Sequence, residues 1–222
     1  LARQVRERFV KALDSQLPDL MTQVQALLLA HARGEHKSAS MSEMQLAMDA
    51  ARLFQAERHH WIEAVRKSWR DSLTGMAAAS AVSRRPTKLS FALEDGEVAE
   101  RKILASRLAS AVAEVAGPDI NNLKLRIQRL ERASDWQAQD VLRPDALPLE
   151  LVKAWGECGF TQPMWALALP ALQPAVAKHM ADAYRQANEF LIENGVMAEI
   201  DFKDLVRRDR PSGWGSDTGP GA

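Results

Sequence analysis

Apolar residues recur along this chain at intervals of three and four residues, which places them on one face of an α-helix. The clearest example lies between Val176 and Val196, where the spacings are four, three, four and three at Val176, Met180, Ala183, Ala187 and Phe190. Asn194-Gly195 then offers an end for this helix, because glycine adopts the left-handed conformation past a last turn without a steric penalty. The pattern predicts a helix that closes at Gly195.

The first third of the chain predicts two helices that pack as an antiparallel hairpin. Leu1 to Arg33 carries an apolar stripe that Pro18 interrupts. Either Ser15 caps a second helical segment with Pro18 in its first turn, or a kink or a short break lies near Gln16. The longest uninterrupted helical pattern runs from Met41 to Leu73, and Ser42 is placed to cap it. Because the polar connection between the two stretches is short, antiparallel packing of neighbours is favoured.

A linker and further helices follow the hairpin. Thr74 to Lys88 has no sustained periodicity and is interpreted as the linker, and the alternation from Leu89 to Leu93 predicts a brief extended segment. Glu94-Asp95 begin the next helix, where acidic residues favour the first turn. Gly117-Pro118 are expected to stop that helix, and Asp119 is placed to cap another.

The last third predicts shorter helices and then an end to regular structure. Short helices are expected around Trp136 and from Pro148 to Glu157. Asp209 to Ala222 is rich in Gly, Pro, Ser and Asp, a composition that cannot bury enough apolar surface to fold. One straight helix from Thr161 to Asn194 is not expected, because the stretch contains Pro163, Pro170 and Pro174.

The predicted fold class is therefore all-α. An N-terminal helical hairpin occupies residues 1–73, a linker 74–88, a multi-helix bundle 89–208, and a flexible or disordered tail or linker 209–222. The pattern leaves open whether the hairpin and the bundle form one domain.

Composition and charge exclude few partners but several classes of structure. The 29 Lys and Arg equal the 29 Asp and Glu, so net charge does not favour nucleic acid as a partner. Cys158 is the only cysteine, which excludes an intramolecular disulfide and fits a reducing cytoplasm. No apolar run approaches the length of a membrane span. The chain begins at Leu1 without an initiator methionine, and we expect it to be part of a longer protein.

Two stretches resemble one family. The first runs from Leu89 to Leu130, with LSFALEDGEVAE at its start and LRIQRL near its end; the second is the helix with Tyr184, Asn188, Leu191 and Gly195-Val196. They are similar to a large, mostly proteobacterial family of proteins of unknown function, some of which are labelled thymidine phosphorylase. The resemblance covers most of the chain from Leu89 to Ala198 and, more weakly, the N-terminal helices. It implies no catalytic residues.

The sequence departs from the family pattern and gives the phosphorylase label no support. Gly195-Val196-Met197-Ala198 stand where members tend to have Gly-Val-Leu-Pro, and Arg143-Pro144 stand for an expected Asn-Pro element. A nucleoside phosphorylase needs a glycine-rich loop with a lysine, or an equivalent helix N-terminus, to bind phosphate. The sequence shows no such loop.

Candidate catalytic and metal-binding residues have simpler structural interpretations. His59-His60 are adjacent, so on a helix they point about 100° apart and cannot chelate one ion. His31 and His36 flank a loop and give only a weak suggestion of a metal, whereas His179 is expected to pack at a helix interface. A buried, unreactive thiol is the favoured interpretation of Cys158. The acidic residues Glu94, Asp95 and Glu97 are explained by a helix N-terminus. We therefore predict no catalytic site, metal or cofactor.

Basic residues provide the candidate ligand contacts. Phosphate is the ligand that such residues contact, although a solvated helix face is the favoured interpretation because the net charge is zero. The candidates are Arg84, Arg85, Arg126, Arg129 and Arg132.

The remaining distinctive residues predict packing. Most of the six tryptophans lie on apolar stripes and are expected in the core. Tyr184 and Asn188 are one helical turn apart, and we expect them to form a buried polar contact with the segment from Leu89 to Leu130, since asparagine is a poor helix former. Tyr184, Asn188 and Gly195 therefore form a structural signature.

The sequence favours a non-enzymatic cytoplasmic scaffold or regulatory module that binds another protein through a helical surface. This interpretation rests on the many predicted amphipathic helices and on the lack of a recognisable set of catalytic residues. The alternative is a nucleotide or nucleic-acid binding module that uses the basic residues. The oligomeric state is not predicted.

Overall fold

Five α-helices form the protein in a computed structural model that describes residues 1–35, 40–82, 96–133, 135–137 and 139–200. No strand occurs in these ranges, so the predicted all-α class is confirmed. The predicted extended segment at Leu89 to Leu93 and the predicted tail from Asp209 lie outside them. The helices are α1 Ala2–Ala32, α2 Met41–Val82, α3 Gly96–Glu131, α4 Ala146–Glu157 and α5 Gln162–Glu193.

The long helix α5 lies between α1 and α3 and packs along both. It runs antiparallel to α1: Phe9 packs on Tyr184, and Asp19, which comes later in α1, pairs with His179, which comes earlier in α5. The predicted hairpin of α1 and α2 is present, but α5 and α4 also contact it. Buried residues from all five helices belong to one hydrophobic core, so the hairpin and the bundle are not separate in this structure.

Aromatic side chains fill the part of the core where α2, α4 and α5 meet. Phe54 lies with its ring centroid 5.9 Å from that of Trp61 and 6.0 Å from that of Trp155. Trp155 also makes an edge contact with Trp165 at 5.3 Å. The indole N–H groups of Trp61 and Trp69 donate to backbone carbonyls of α4. The expectation that most tryptophans are core residues is confirmed for Trp61, Trp69, Trp155 and Trp165.

Prolines do not break the helices, which corrects the predicted stop at Gly117-Pro118 and excludes both a break near Gln16 and a second segment capped by Ser15. A kink at Pro18 and a bend in the stretch from Thr161 to Asn194 stay predictions. Pro18 lies within a continuous α1, Pro118 within α3, and Pro170 and Pro174 within α5. All four are solvent-exposed, so each carbonyl that loses its helical N–H partner lies on or near the wet side of its helix. The apolar stripe on the opposite side keeps its phase through each proline and stays buried. Burial of these stripes outweighs the local cost of proline.

Helix ends differ from prediction at some positions. The first nine residues of the predicted linker, 74–82, belong to α2. That helix is capped by Ser40 rather than Ser42, since the Ser40 hydroxyl accepts from the Glu43 N–H and the Glu43 carboxylate accepts from the Ser40 N–H, a reciprocal capping box. The predicted helix around Trp136 is absent: residues 135–137 are not helical.

Helix α5 ends where the sequence predicts. Gly195 has a φ of +75°, a conformation in which a side chain would be strained. Its N–H donates to the Ile192 carbonyl, and the Val196 N–H donates to the Leu191 carbonyl, both at 2.9 Å. These two bonds form a Schellman motif, in which carbonyls left free by the last turn find donors.

We expect Phe54→Ala to destabilise the protein strongly, by about 3 to 5 kcal/mol, because it opens a cavity in the aromatic cluster. Urea unfolding followed by tryptophan fluorescence measures the loss. The exposed neighbour Gln55 offers a control, since Gln55→Ala should change stability by no more than about 0.5 kcal/mol. Equal, small effects of the two substitutions would show that the cluster is not a stabilising core.

Candidate functional site

A buried ion network joins α1 to the end of α3 and to the following loop. The Arg6 guanidinium donates through Nε to Asp140 Oδ1 at 3.0 Å and through an Nη to Glu131 Oε2 at 3.0 Å. Asp140 is fully buried, and one of its carboxylate oxygens also accepts from the Leu142 N–H. Burial alone would lower the pKa of Arg6, but the two carboxylates raise it above its usual value. All of these charges are therefore paired, as buried charges must be.

The hydrophobic pattern of the sequence does not predict this network. Arg6 lies among Val5, Phe9 and Val10 on the buried stripe of α1. A charged residue at such a position is the signal that could have revealed it, because an arginine is rarely buried without a partner. Asp140 gives no comparable signal, since it lies in a loop.

A second buried polar group connects α5 to α3, and it includes Asn188. Asn188 Oδ1 accepts from Arg126 at 2.6 Å, and Asn188 Nδ2 donates to the Asp119 carbonyl at 2.9 Å. Asn188 therefore makes the contact with the Leu89 to Leu130 segment that its position in the helix predicts. Tyr184 does not: its hydroxyl donates at 2.8 Å to the carbonyl of Leu142, in the loop before α4. Burial raises the pKa of Tyr184, so the hydroxyl keeps its proton as a donor.

Arg126 is held by neutral oxygen atoms rather than by a carboxylate. Besides Asn188, its Nε and an Nη donate to the Met197 carbonyl at 3.3 and 3.2 Å, just beyond the end of α5. Burial lowers its pKa. Only 4% of Arg126 is exposed, so this residue does not present its charge to a phosphate.

Of the other candidate phosphate contacts, the structure describes Arg129 and Arg132. Arg129 and Arg132 are exposed near the end of α3, and their role as phosphate contacts stays a prediction. Arg84 and Arg85 lie outside the described residues. Lys124, on the same helix, pairs with Asp135 at 2.8 Å.

His179 lies at the interface of α5 with α1, as the sequence predicts. Its Nε2 is 3.3 Å from Asp19 Oδ2, and 8% of the residue is exposed. Burial lowers the pKa of His179 and is the largest influence, while Asp19 opposes it; Lys178 lowers the pKa further and Asp182 raises it. His179 also lines a cavity of about 20 Å³ between α1, α4 and α5, which has room for about one water molecule and none for a substrate.

The remaining catalytic and metal-binding candidates that the structure describes are a buried cysteine and histidines on helices. Cys158 is buried, and burial raises its pKa, which disfavours a reactive thiolate. His59 and His60 are exposed on α2, and His31 Nδ1 lies 2.9 Å from the Leu27 carbonyl of its own helix. His36, Glu94, Asp95 and Glu97 lie outside the side chains that the structure describes. Among the described residues, no three His, Cys, Asp or Glu come together as metal ligands.

The larger concavities are open grooves between helices. The α1/α5 groove, with a volume of about 760 Å³, is lined by residues that include Gln4, Glu7, Arg8, Lys11, Ser15 and Phe190. The α1/α2 groove, of about 440 Å³, lies on the other side of α1, and its charged residues are Glu7, Lys11, Asp14, Glu63, Arg66 and Arg70. Within the described helices, none is long and apolar enough to cross a bilayer.

These features define an all-helical domain whose buried polar groups are structural and whose grooves lie at its surface. The chain belongs to the family described as "Protein of unknown function (DUF1631) N-terminal domain", whose model matches residues 1–195. This confirms the expected membership of a family of unknown function. Comparison with curated proteins and with solved structures finds no match.

We expect Asn188→Ala to lower the thermal midpoint and to cost about 1 to 3 kcal/mol, because it leaves a buried arginine N–H without its acceptor and removes the bond to the Asp119 carbonyl. A double-mutant cycle with Arg126→Met isolates the shared bond. The two losses should be less than additive, since either substitution removes the same interaction. Additive losses, or an unchanged midpoint in Asn188→Ala, would show that the contact does not stabilise the fold.

His179 should make the fold less stable in acid. Its folded pKa lies below its unfolded value, so the unfolded chain binds the proton more readily. The free energy of unfolding therefore carries no penalty from His179 above the unfolded pKa of about 6.5, and it falls as the pH drops below that value.

The measurement is the free energy of unfolding in urea between neutral pH and mildly acidic pH. Relative to wild type, His179→Gln should gain stability as the pH falls. The control is His59→Gln, which makes the same substitution at a solvent-exposed histidine of α2. A wild type and His179→Gln difference that stays constant with pH would contradict the assignment.

Proposed function

We propose that the chain is a non-enzymatic scaffold or regulatory module that binds another protein through its helical surface. The observation that carries the proposal is the contrast between interior and surface. The cavity beside His179 measures about 20 Å³, whereas the two grooves that flank α1 measure about 760 and 440 Å³. Grooves between helices of this kind suit a docked protein segment.

The placement of charge supports the same proposal. Arg6 is neutralised by Asp140 and Glu131, and Arg126 is fixed between Asn188 and Met197. Such groups hold helices together and are not poised as acids or bases. Ile103 and Val115 on α3, by contrast, are more than half exposed, and exposed apolar side chains are common contacts in protein interfaces.

We further propose a bacterial cytoplasmic setting. A lone buried thiol, Cys158, suits a reducing compartment because it forms no disulfide within the chain. The alternative, a nucleotide or nucleic-acid binding module, has less support, since Arg126 is buried and net charge is zero.

Chemical crosslinking in bacterial lysate, with crosslinked sites mapped by mass spectrometry, tests the proposal. The folded chain should give reproducible crosslinks from helical surface lysines such as Lys11 to a protein partner. The same chain unfolded beforehand is the control, because it keeps the composition and loses the surface. Crosslinks that do not depend on folding would contradict the proposal, as would catalytic turnover abolished by a single substitution.

A further inference from the structure

The N-terminal half of α1 forms a ridge between the two grooves. Glu7 and Lys11 line both of them. In the α1/α5 groove, the residues contributed by α1 run from Gln4 to Ser15, which corresponds to about 16 Å along the helix. A docked helix would therefore contact about three turns of α1.

The carboxylates of both grooves are already paired, but several of the cations are not. Glu7 pairs with Arg3, whereas Asp14 and Glu63 both pair with Arg66 at 2.6 and 2.9 Å. Each of these acids is thus neutralised locally. Three groove cations have no carboxylate partner among the residues that the structure describes: Arg8, Lys11 and Arg70.

Arg8 is held in place beside an apolar surface. Its guanidinium carbon lies 4.2 Å from the centroid of the Phe190 ring across the α1/α5 groove. This cation–π contact orients the guanidinium, and a guanidinium has N–H groups enough to bind a carboxylate in a bidentate manner as well. Lys11 follows Arg8 by three residues, so both charges lie on the same side of α1.

We infer that the α1/α5 groove binds an acidic amphipathic helix of a partner protein. Carboxylates of that helix pair with Arg8 and Lys11, and its apolar side chains pack on Phe190. The inference rests on the proposed function and names the surface and the chemistry of the partner. Charge complementarity of this kind selects the partner and its orientation.

A peptide is favoured over a nucleic acid by the charge of the chain. The chain has no net positive charge, whereas nucleic-acid binding domains usually show a basic footprint.

Fluorescence anisotropy with three labelled probes tests this inference on the full 222-residue chain. The probes are an acidic Glu/Leu amphipathic peptide of about 15 residues, close to the minimum for a stable helix, its Lys/Leu counterpart, and a single-stranded oligonucleotide. The acidic peptide should bind roughly tenfold more tightly than the basic peptide. Stronger binding of the basic peptide or of the oligonucleotide would overturn the inference.

Variants locate the binding. Arg8→Glu/Lys11→Glu should weaken binding of the acidic peptide by roughly tenfold or more, and Phe190→Ala should weaken it through loss of apolar contact. Arg52→Glu/Arg107→Glu reverses two exposed charges on α2 and α3 that line neither groove and is the matched control, with a change of about twofold at most. Circular dichroism checks folding, and the neutral pair Arg8→Gln/Lys11→Gln replaces the reversal if the latter unfolds. Equal effects of the groove and control variants would refute the inference.

A second copy of the chain is the other occupant to test. Sedimentation of the protein alone should give a monomer; a dimer that Arg8→Glu/Lys11→Glu dissociates would assign the groove to self-association instead. The lysate crosslinks separate the two proposals. A protein partner that crosslinks at another face, with unchanged binding by the groove variants, leaves the proposed function standing and overturns the acidic-helix site.

Discussion

Burial of α5 on two sides is the constraint on which the rest of the structure depends. This helix packs along α1 on one side and α3 on the other, so it needs apolar positions around most of its circumference. Its buried residues include many alanines, among them Ala175, Ala181, Ala183 and Ala187. Small side chains let neighbouring helices approach closely, and a cluster of aromatic side chains fills the part of the core where α2, α4 and α5 meet. The short α4 and the hairpin then close the same core.

Polar groups fix how the helices sit against this central element. Apolar contact is non-directional, so a stripe of alanine and leucine alone leaves neighbouring helices free to slide or rotate. Asn188 bonds to both Asp119 and Arg126, which fixes the position of α5 along α3. Tyr184 reaches the Leu142 carbonyl, and Arg6 reaches Asp140 in the same loop. A helix shifted by one turn would leave these buried groups unpaired, at a cost of about 1 to 3 kcal/mol each.

The sequence predicts the fold class, the helical hairpin and the end of α5 because each depends on local periodicity or on one glycine. It fails at Pro118 because the cost of a proline depends on which side of the helix it faces. Pro118 is exposed, and nothing in the residue itself reveals this; the unbroken phase of the flanking apolar stripe does. Arg126 and Arg129 are equally basic in sequence, yet one is buried. What distinguishes the buried arginine from the exposed one is the position of Asn188, which depends on tertiary packing.

The buried polar groups are occupied in packing, which is why we propose that a partner binds at the surface of α1. Arg6, Asn188 and Tyr184 use their polar groups to bind neighbouring elements of the fold. Rearranging these groups would leave the buried charge of Asp140 or Arg126 without a partner. The outer side of α1 carries no such commitment. Its carboxylates are satisfied by neighbouring arginines while Arg8 and Lys11 keep their charge, so a partner that neutralises them gains electrostatic energy without disturbing the core. Recognition at this ridge therefore requires the least change in the structure.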